Sequence, residues 1–175
     1  MDQLELEHLY RRLEKPIYNV VYRWLWNAED AHDVVQEAFV RLWDTRARVD
    51  VATAEPFVYR IALNLAASRL RRRKRWAWVP LESVRIALSA AHPDDHATSA
   101  DERARVRAAV QELPDDLRNV VLLCELTEMT YDQIGRVLSI PAGTVGSRRH
   151  RALTVLRRKM ELETSTREIS ARRRV

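Results

Sequence analysis

The chain of 175 residues contains 3 glycines and 1 cysteine, is 46% hydrophobic and carries a formal net charge of +5. So few glycines exclude a turn-rich barrel or sandwich, the hydrophobic share excludes a disordered composition, and one cysteine excludes an internal disulfide or a cysteine-rich zinc site. No apolar run reaches the roughly 18 residues that span a bilayer, and the N-terminus opens with Asp2, Glu5 and Glu7 rather than a basic stretch and an apolar block, so a cytoplasmic address is expected.

In chain order, Leu9, Leu13, Ile17, Val20, Val21 and Trp24 fall three and four apart and predict an amphipathic helix over 4–26. Ala31, Val34, Val35, Ala38, Phe39, Leu42 and Trp43 predict a second helix over about 28–45. The period is lost between Thr45 and Ala54. Pro56 suits a first helical turn, and Phe57, Ile61, Leu65 and Leu70 then carry a third helix to about residue 74. Trp76 to Ala100, with Pro80 and Pro93, reads as a linker holding one short helical turn around Leu81 to Leu88.

A second helical group begins with Val106, Val110 and Leu113 and is interrupted by Pro114, after which Leu117, Val120, Val121 and Leu126 form the next helix. Thr130 and Gln133 have capping-box spacing and open a short helix bearing Ile134, Val137 and Leu138. The break Ser139-Ile140-Pro141 precedes a last helix with Val145, Ala152, Leu153 and Leu156 inside. The expected fold is all-α, with two small helical domains at 1–78 and 103–160, an acidic linker at 79–102 and a charged tail at 161–175. That tail is compatible with either a frayed helix or a weak phosphate contact.

Charge is not spread evenly. Residues 60–75 and 134–160 each carry 7 basic and no acidic side chains, while residues 1–59 have 11 acids against 7 bases. Two acid-free patches, each ending a helical pattern, fit two contacts with a polyanion, because Lys and Arg that neutralise phosphates release condensed counterions. A single such patch would be read as a solvated helix face.

A short capped helix, a tight break and a longer helix make a helix-turn-helix, whose second helix enters the major groove. Thr144, Ser147, Arg148 and Arg151 fall on or near its outer face, where arginine can pair with guanine; Arg149, Arg157, Arg158 and Lys159 are better placed for phosphates. Gly143 and Gly146 weaken the helix but allow close approach. Leu113-Pro114, Arg118 and Val120, then Met129 to Gly135, then Ile140 to Arg148, resemble region 4 of bacterial sigma factors of the sigma-70 family, extracytoplasmic-function group. The resemblance implies a reader of the −35 promoter element. Two positions depart from the family pattern: Gly146 stands where lysine is usual, and Ser139 where a turn glycine is usual, which places a non-glycine residue near positive φ at a cost on the order of 1 kcal/mol.

Asp30 to Trp43 resembles the family's region 2.2, which implies that Asp33, Gln36, Glu37 and Arg41 dock on the β′ clamp helices of core RNA polymerase; their spacing puts them on a polar face opposite Val34, Ala38 and Leu42. Phe57 to Arg73 resembles regions 2.3 and 2.4, which face the −10 element. Arg60, Asn64, Ala67 and Arg71 form an outward stripe ending in the basic run that includes Arg72, and Leu63 and Ser68 stand where arginine and aspartate are usual. Ser68 is taken with Arg60, Asn64, Arg71 and Arg72 as the −10 contact set.

Opening DNA costs about 1.4 kcal/mol per stacked step, and each captured base returns roughly 1 to 3 kcal/mol. The loop Arg46 to Ala54, with the start of the third helix, is expected to hold an unstacked base. The implied partners are core RNA polymerase through its β′ and β subunits, promoter DNA and an anti-sigma factor, with no small-molecule substrate.

No catalytic site or cofactor is expected. His92 and His96 flank Asp94 and Asp95, but Pro93 breaks the helix that would align them on a metal. Cys124 reads as a buried small residue, and Trp76 and Trp78 as packing residues. A stand-alone helix-turn-helix regulator is the alternative reading, distinguished by binding an operator without polymerase. A nuclease or RNA-modifying enzyme is a second alternative, against which the sequence offers no clustered carboxylates, metal-ligand set or nucleophile-base pair near the basic patches.

Overall fold

The computed structural model describes residues 1–76 and 100–172, and the described residues form helices without a strand. The elements are α1 (Gln3–Leu25), α2 (Ala28–Thr45), a 3₁₀ turn (Arg46–Arg48), α3 (Val51–Trp76), α4 (Ala100–Gln111), α5 (Asp115–Leu126), α6 (Tyr131–Leu138) and α7 (Ala142–Arg172). The predicted turn at Leu81 to Leu88, Trp78 and the His92/His96 pair lie outside the described residues.

Helix α1 starts at a capping box: the Asp2 carboxylate accepts from the Glu5 amide at 2.8 Å and the Glu5 side chain accepts from the Asp2 amide at 2.7 Å. Its predicted stripe is buried at every position from Leu9 to Trp24, and α2 buries Ala31, Val34, Val35, Ala38, Phe39 and Leu42 against it. Trp26 closes α1 in the left-handed region at φ 53°, and Asn27 then caps α2 by accepting from the Asp30 amide.

Helix α3 corrects the sequence reading twice. It begins at Val51, so Pro56 sits a full turn inside it, because Asp50 provides the start: its carboxylate accepts from the Ala52 amide at 3.1 Å and its carbonyl from the Thr53 amide at 2.9 Å. Its packed face is also built on Ala54, Val58, Tyr59, Ala62, Leu63, Ala66, Ala67 and Leu70, whereas Phe57, Ile61 and Leu65 are only partly buried. Alanines let α3 approach α1 and α2 closely, and small residues carry little signal in a hydrophobic period.

In the second half, Thr130 and Gln133 complete the predicted capping box, with the Thr130 amide donating to Gln133 Oε1 at 2.7 Å. Ser139 ends α6 at φ 56°, the left-handed conformation expected of it. Gly135 is required by the turn, since a Cβ there would stand 2.6 Å from the Ile140 carbonyl oxygen. At Gly143 a Cβ would meet nothing within 4 Å, so packing within the fold does not require that glycine. Helix α7 continues through the expected tail to Arg172.

The two halves share one core. Trp24 of α1 is fully buried, its indole Nε1 donates to Asn119 Oδ1 at 2.8 Å, and the Arg118 guanidinium of α5 stacks over its ring at 4.2 Å. Arg118 is 2% exposed and donates to the carbonyls of Val110, Gln111 and Leu113 at 2.9, 2.7 and 2.6 Å. These acceptors lie at and just beyond the C-terminal end of α4, where helix carbonyls lack intrahelical donors. Burial lowers the Arg118 pKa and the nearby Asp115 carboxylate opposes that.

Candidate nucleic-acid interface and docking face

Three surfaces carry the residues singled out from the sequence. On α2, Asp33, Gln36 and Arg41 are exposed and Glu37 is half-buried, opposite the buried Val34, Ala38 and Leu42. Arg41 Nη2 pairs with Glu37 Oε1 at 2.6 Å, one turn along the helix. The four predicted docking residues therefore share one polar face, with the exposed Val40 beside them.

On α3, Arg60, Asn64, Ser68, Arg71 and Arg72 are exposed. Ala67 is not part of the stripe: it is buried against the core, as is Leu63, so the departure from the family pattern at 63 faces inward. Two of the basic residues are already engaged. Arg60 of α3 donates from Nε to the Val137 carbonyl at 2.9 Å and from Nη2 to the Arg136 carbonyl at 2.7 Å, a cationic cap on the negative end of α6. Arg71 donates to Ser68 Oγ at 3.1 Å and reaches Asp115 at 3.5 Å.

The loop expected at Arg46 to Ala54 is mostly ordered helix, and only Val49 and Asp50 lie between the 3₁₀ turn and α3. Arg46 stacks over Trp43 at 3.7 Å and donates to its carbonyl at 2.8 Å, placing a flat cation and an indole beside the start of α3.

The third surface is α7. Val145 and Ala152 are buried, while Ser147 and Arg151 are exposed and Thr144 and Arg148 half-buried. Ser147 Oγ donates to the Thr144 carbonyl at 3.1 Å, and Arg148 Nε sits 3.6 Å from Asp116. Arg149 lies at the surface but is engaged within the fold. Its Nε donates to Glu125 at 2.9 Å and its Nη1 to the Tyr131 hydroxyl at 3.2 Å, tying α7 to the end of α5 and the start of α6. Those hydrogen bonds, with Tyr131 and then Glu125, raise its pKa. Lys159, also expected at phosphates, pairs with Glu112.

Between the halves lies a cleft of about 730 Å³, with Leu13, Pro16 and Asn19 of α1, Tyr59 of α3, and Met129 and Gln133 in its lining. Burial, then Glu55, pushes the Tyr59 phenol well above its usual pKa. Cys124 is half-buried rather than fully buried, and burial raises its thiol pKa. No group of three or more metal-ligating side chains occurs among the described residues, nor is any described helix long and apolar enough to cross a membrane.

The sequence signal missed three of these ties. Arg60 to α6, Trp24 to α5 and Arg149 to Tyr131 link residues 18 to 95 positions apart, and a basic or aromatic residue at such a position does not announce its partner.

Comparison with known proteins places these surfaces in a family. Residues 9–76 match sigma-70 region 2 and residues 103–156 match sigma-70 region 4. The chain is 33% identical over 153 residues to the ECF RNA polymerase sigma factor SigE of Mycolicibacterium smegmatis, covering 86% of this chain and 60% of that protein. It is 31% identical over 154 residues to the ECF RNA polymerase sigma factor SigW of Bacillus subtilis, covering 82% of each. Its fold is similar to that of the sigma factor RpoE in complex with the anti-sigma factor NepR from Bartonella quintana, with a TM-score of 0.64 at 20% identity over 89% of this chain and 98% of that one.

Proposed function

The chain belongs to the sigma-70 family of RNA polymerase sigma factors, in its ECF group, and on that premise we propose that it binds core RNA polymerase and directs promoter-specific initiation. The observation that carries this reading is the pairing, in one chain, of an acidic docking face on α2 with two separate basic surfaces, one on α3 and one on a capped helix-turn-helix. Asp33, Gln36, Glu37 and Arg41 engage the β′ clamp helices. Thr144, Ser147, Arg148 and Arg151 read the −35 element from the major groove, while Asn64, Ser68 and Arg72, with Arg60 and Arg71 once released, act on the −10 element. The polymerase carries the chemistry, the chain itself is not an enzyme, and it works in the cytoplasm. Core contacts extend to the β subunit, and an anti-sigma factor of the kind seen with the RpoE relative is the proposed regulator.

Geometry adds a requirement. The −35 and −10 elements lie about 85 Å apart along B-DNA at about 3.4 Å per base pair, whereas Arg60 Nη2 is 2.7 Å from a carbonyl of α6. Reading both elements at once therefore requires the contact of Arg60 with α6 to open. Arg149, paired with Glu125 and Tyr131, is a phosphate contact that this pairing holds against the reading helix.

The test is transcription reconstituted from core polymerase, a promoter library and the purified chain, with the start sites sequenced. A shared −35/−10 pair upstream of starts that appear only when the chain is added is the expected result. Specific operator binding by the chain alone, with no effect on polymerase, would favour a stand-alone regulator.

A further inference from the structure

The helical repeat divides the basic stretch of α3. Arg72 and Arg75 are exposed, while Arg69 and Arg73, four residues apart, face α2. Arg69 Nη1 lies 3.0 Å from Asp30 Oδ1 and 3.2 Å from Asp33 Oδ2, and Nη2 lies 3.8 Å from Glu37 Oε2. Arg73 reaches Asp30 at 3.7 Å and donates to the Leu25 carbonyl at 3.4 Å. One guanidinium thus faces three carboxylates of a neighbouring helix, two of which belong to the docking face. Partial burial opposes its charge, but hydrogen bonds to Asp33 and Asp30 outweigh that, so Arg69 is held as a cation more firmly than a free arginine.

We propose that Arg69 is a positioning residue for polymerase docking, holding the Asp33 and Glu37 carboxylates of α2 in the arrangement offered to the polymerase. The proposal rests on the reading of α2 as the docking face. Asp33 and Glu37 stand one helical turn apart and repel as like charges. A cation reaching them from α3 offsets that repulsion and restricts their rotamers without covering them: Asp33 keeps 56% of its side chain exposed, and Glu37 is held on its other oxygen by Arg41. The same contact fixes the docking helix to the helix that bears the −10 residues.

The two effects of Arg69 oppose each other in a way that kinetics separates. Removing it takes one positive charge from beside the α2 carboxylates, which leaves or raises the association rate with a partner that meets those carboxylates through cations, because long-range charge governs encounter. It also frees the Asp33 carboxylate and leaves Glu37 held by Arg41 alone, so the complex dissociates faster. A variant that merely folds poorly would lower the apparent association rate instead.

The experiment measures association and dissociation of the full chain with core polymerase for wild type, Arg69→Ala, Arg69→Lys, Asp33→Ala and the Arg69→Ala/Asp33→Ala pair, with thermal unfolding as a check on folding. Arg69→Ala is expected to raise the dissociation rate about fivefold with no fall in association, Arg69→Lys to restore part of it, and the double variant to dissociate more slowly than the product of the two single effects. Wild-type dissociation by Arg69→Ala, or losses that multiply in the double variant, would overturn the proposal. Asp33→Arg is the control for the docking face: if it too leaves affinity intact, the docking assignment fails, whereas a damaging Asp33→Arg beside a harmless Arg69→Ala removes only the role of Arg69.

Discussion

Replacing Arg118 by alanine removes a buried cation that three backbone carbonyls and one indole face share. Hydrogen bonds to a charged group contribute about 1.5 to 3 kcal/mol each, and a desolvated cation over tryptophan about 2 kcal/mol, giving a gross stabilisation of about 8 kcal/mol. Taking the guanidinium out of water costs several kcal/mol, which leaves a net loss of about 4 kcal/mol for Arg118→Ala, in line with single removals from buried charged networks. For a chain of this length that lowers the midpoint of thermal unfolding by about 8 to 16 °C. Arg118→Lys, which cannot span Val110, Gln111 and Leu113 together, is expected to lose about half as much. Circular dichroism followed through thermal and urea unfolding measures both. A loss below about 1 kcal/mol for the alanine variant would mean that water serves the carbonyls equally well, and Arg118 would not be what joins α4 to α5.

Gly135→Ala sets a Cβ against the Ile140 carbonyl at 2.6 Å, so the chain after α6 must shift; a loss of about 1 to 3 kcal/mol is expected, read by the same unfolding assay, and a neutral result would show that the turn can yield. Arg148→Ala is expected to weaken cognate −35 binding by about 1 to 3 kcal/mol and to relax base preference, and an equal loss on every −35 sequence would reassign Arg148 to phosphate. Tyr59 holds its proton more tightly when folded than at the usual phenol value of 10.0, so its contribution to stability is complete below pH 10 and is lost as pH rises beyond it. Tyr59→Phe should therefore lose less stability between about pH 9 and 11 than wild type; parallel curves would refute the assignment.

What the sequence reveals is what local chemistry controls. The stripe of α1, the capping box at Thr130 and the left-handed Ser139 depend on neighbours within a turn or two, and each stands where the residues place it. The start of α3 was hidden because Asp50 supplies a cap without a strong apolar period after it, and Pro56 offered a competing signal. The packed face of α3 was obscured because half of its buried residues, Ala54, Ala62, Ala66 and Ala67, are alanines, which weigh little in a periodicity. At the candidate site, exposure of Asp33, Asn64, Ser147 and Arg151 followed from helical geometry, but the attachment of Arg60 and Arg149 to carbonyls and side chains brought close only by folding did not.

Helix α7 separates its duties by side. Val145 and Ala152 are completely enclosed and fix how the helix sits on α5 and α6, whereas Ser147 and Arg151 face outward and bear none of that packing. On the proposed reading of this helix, promoter preference can drift through outward substitutions while the scaffold stays as it is, so descendants of such a chain can come to command different genes without first having to be restabilised.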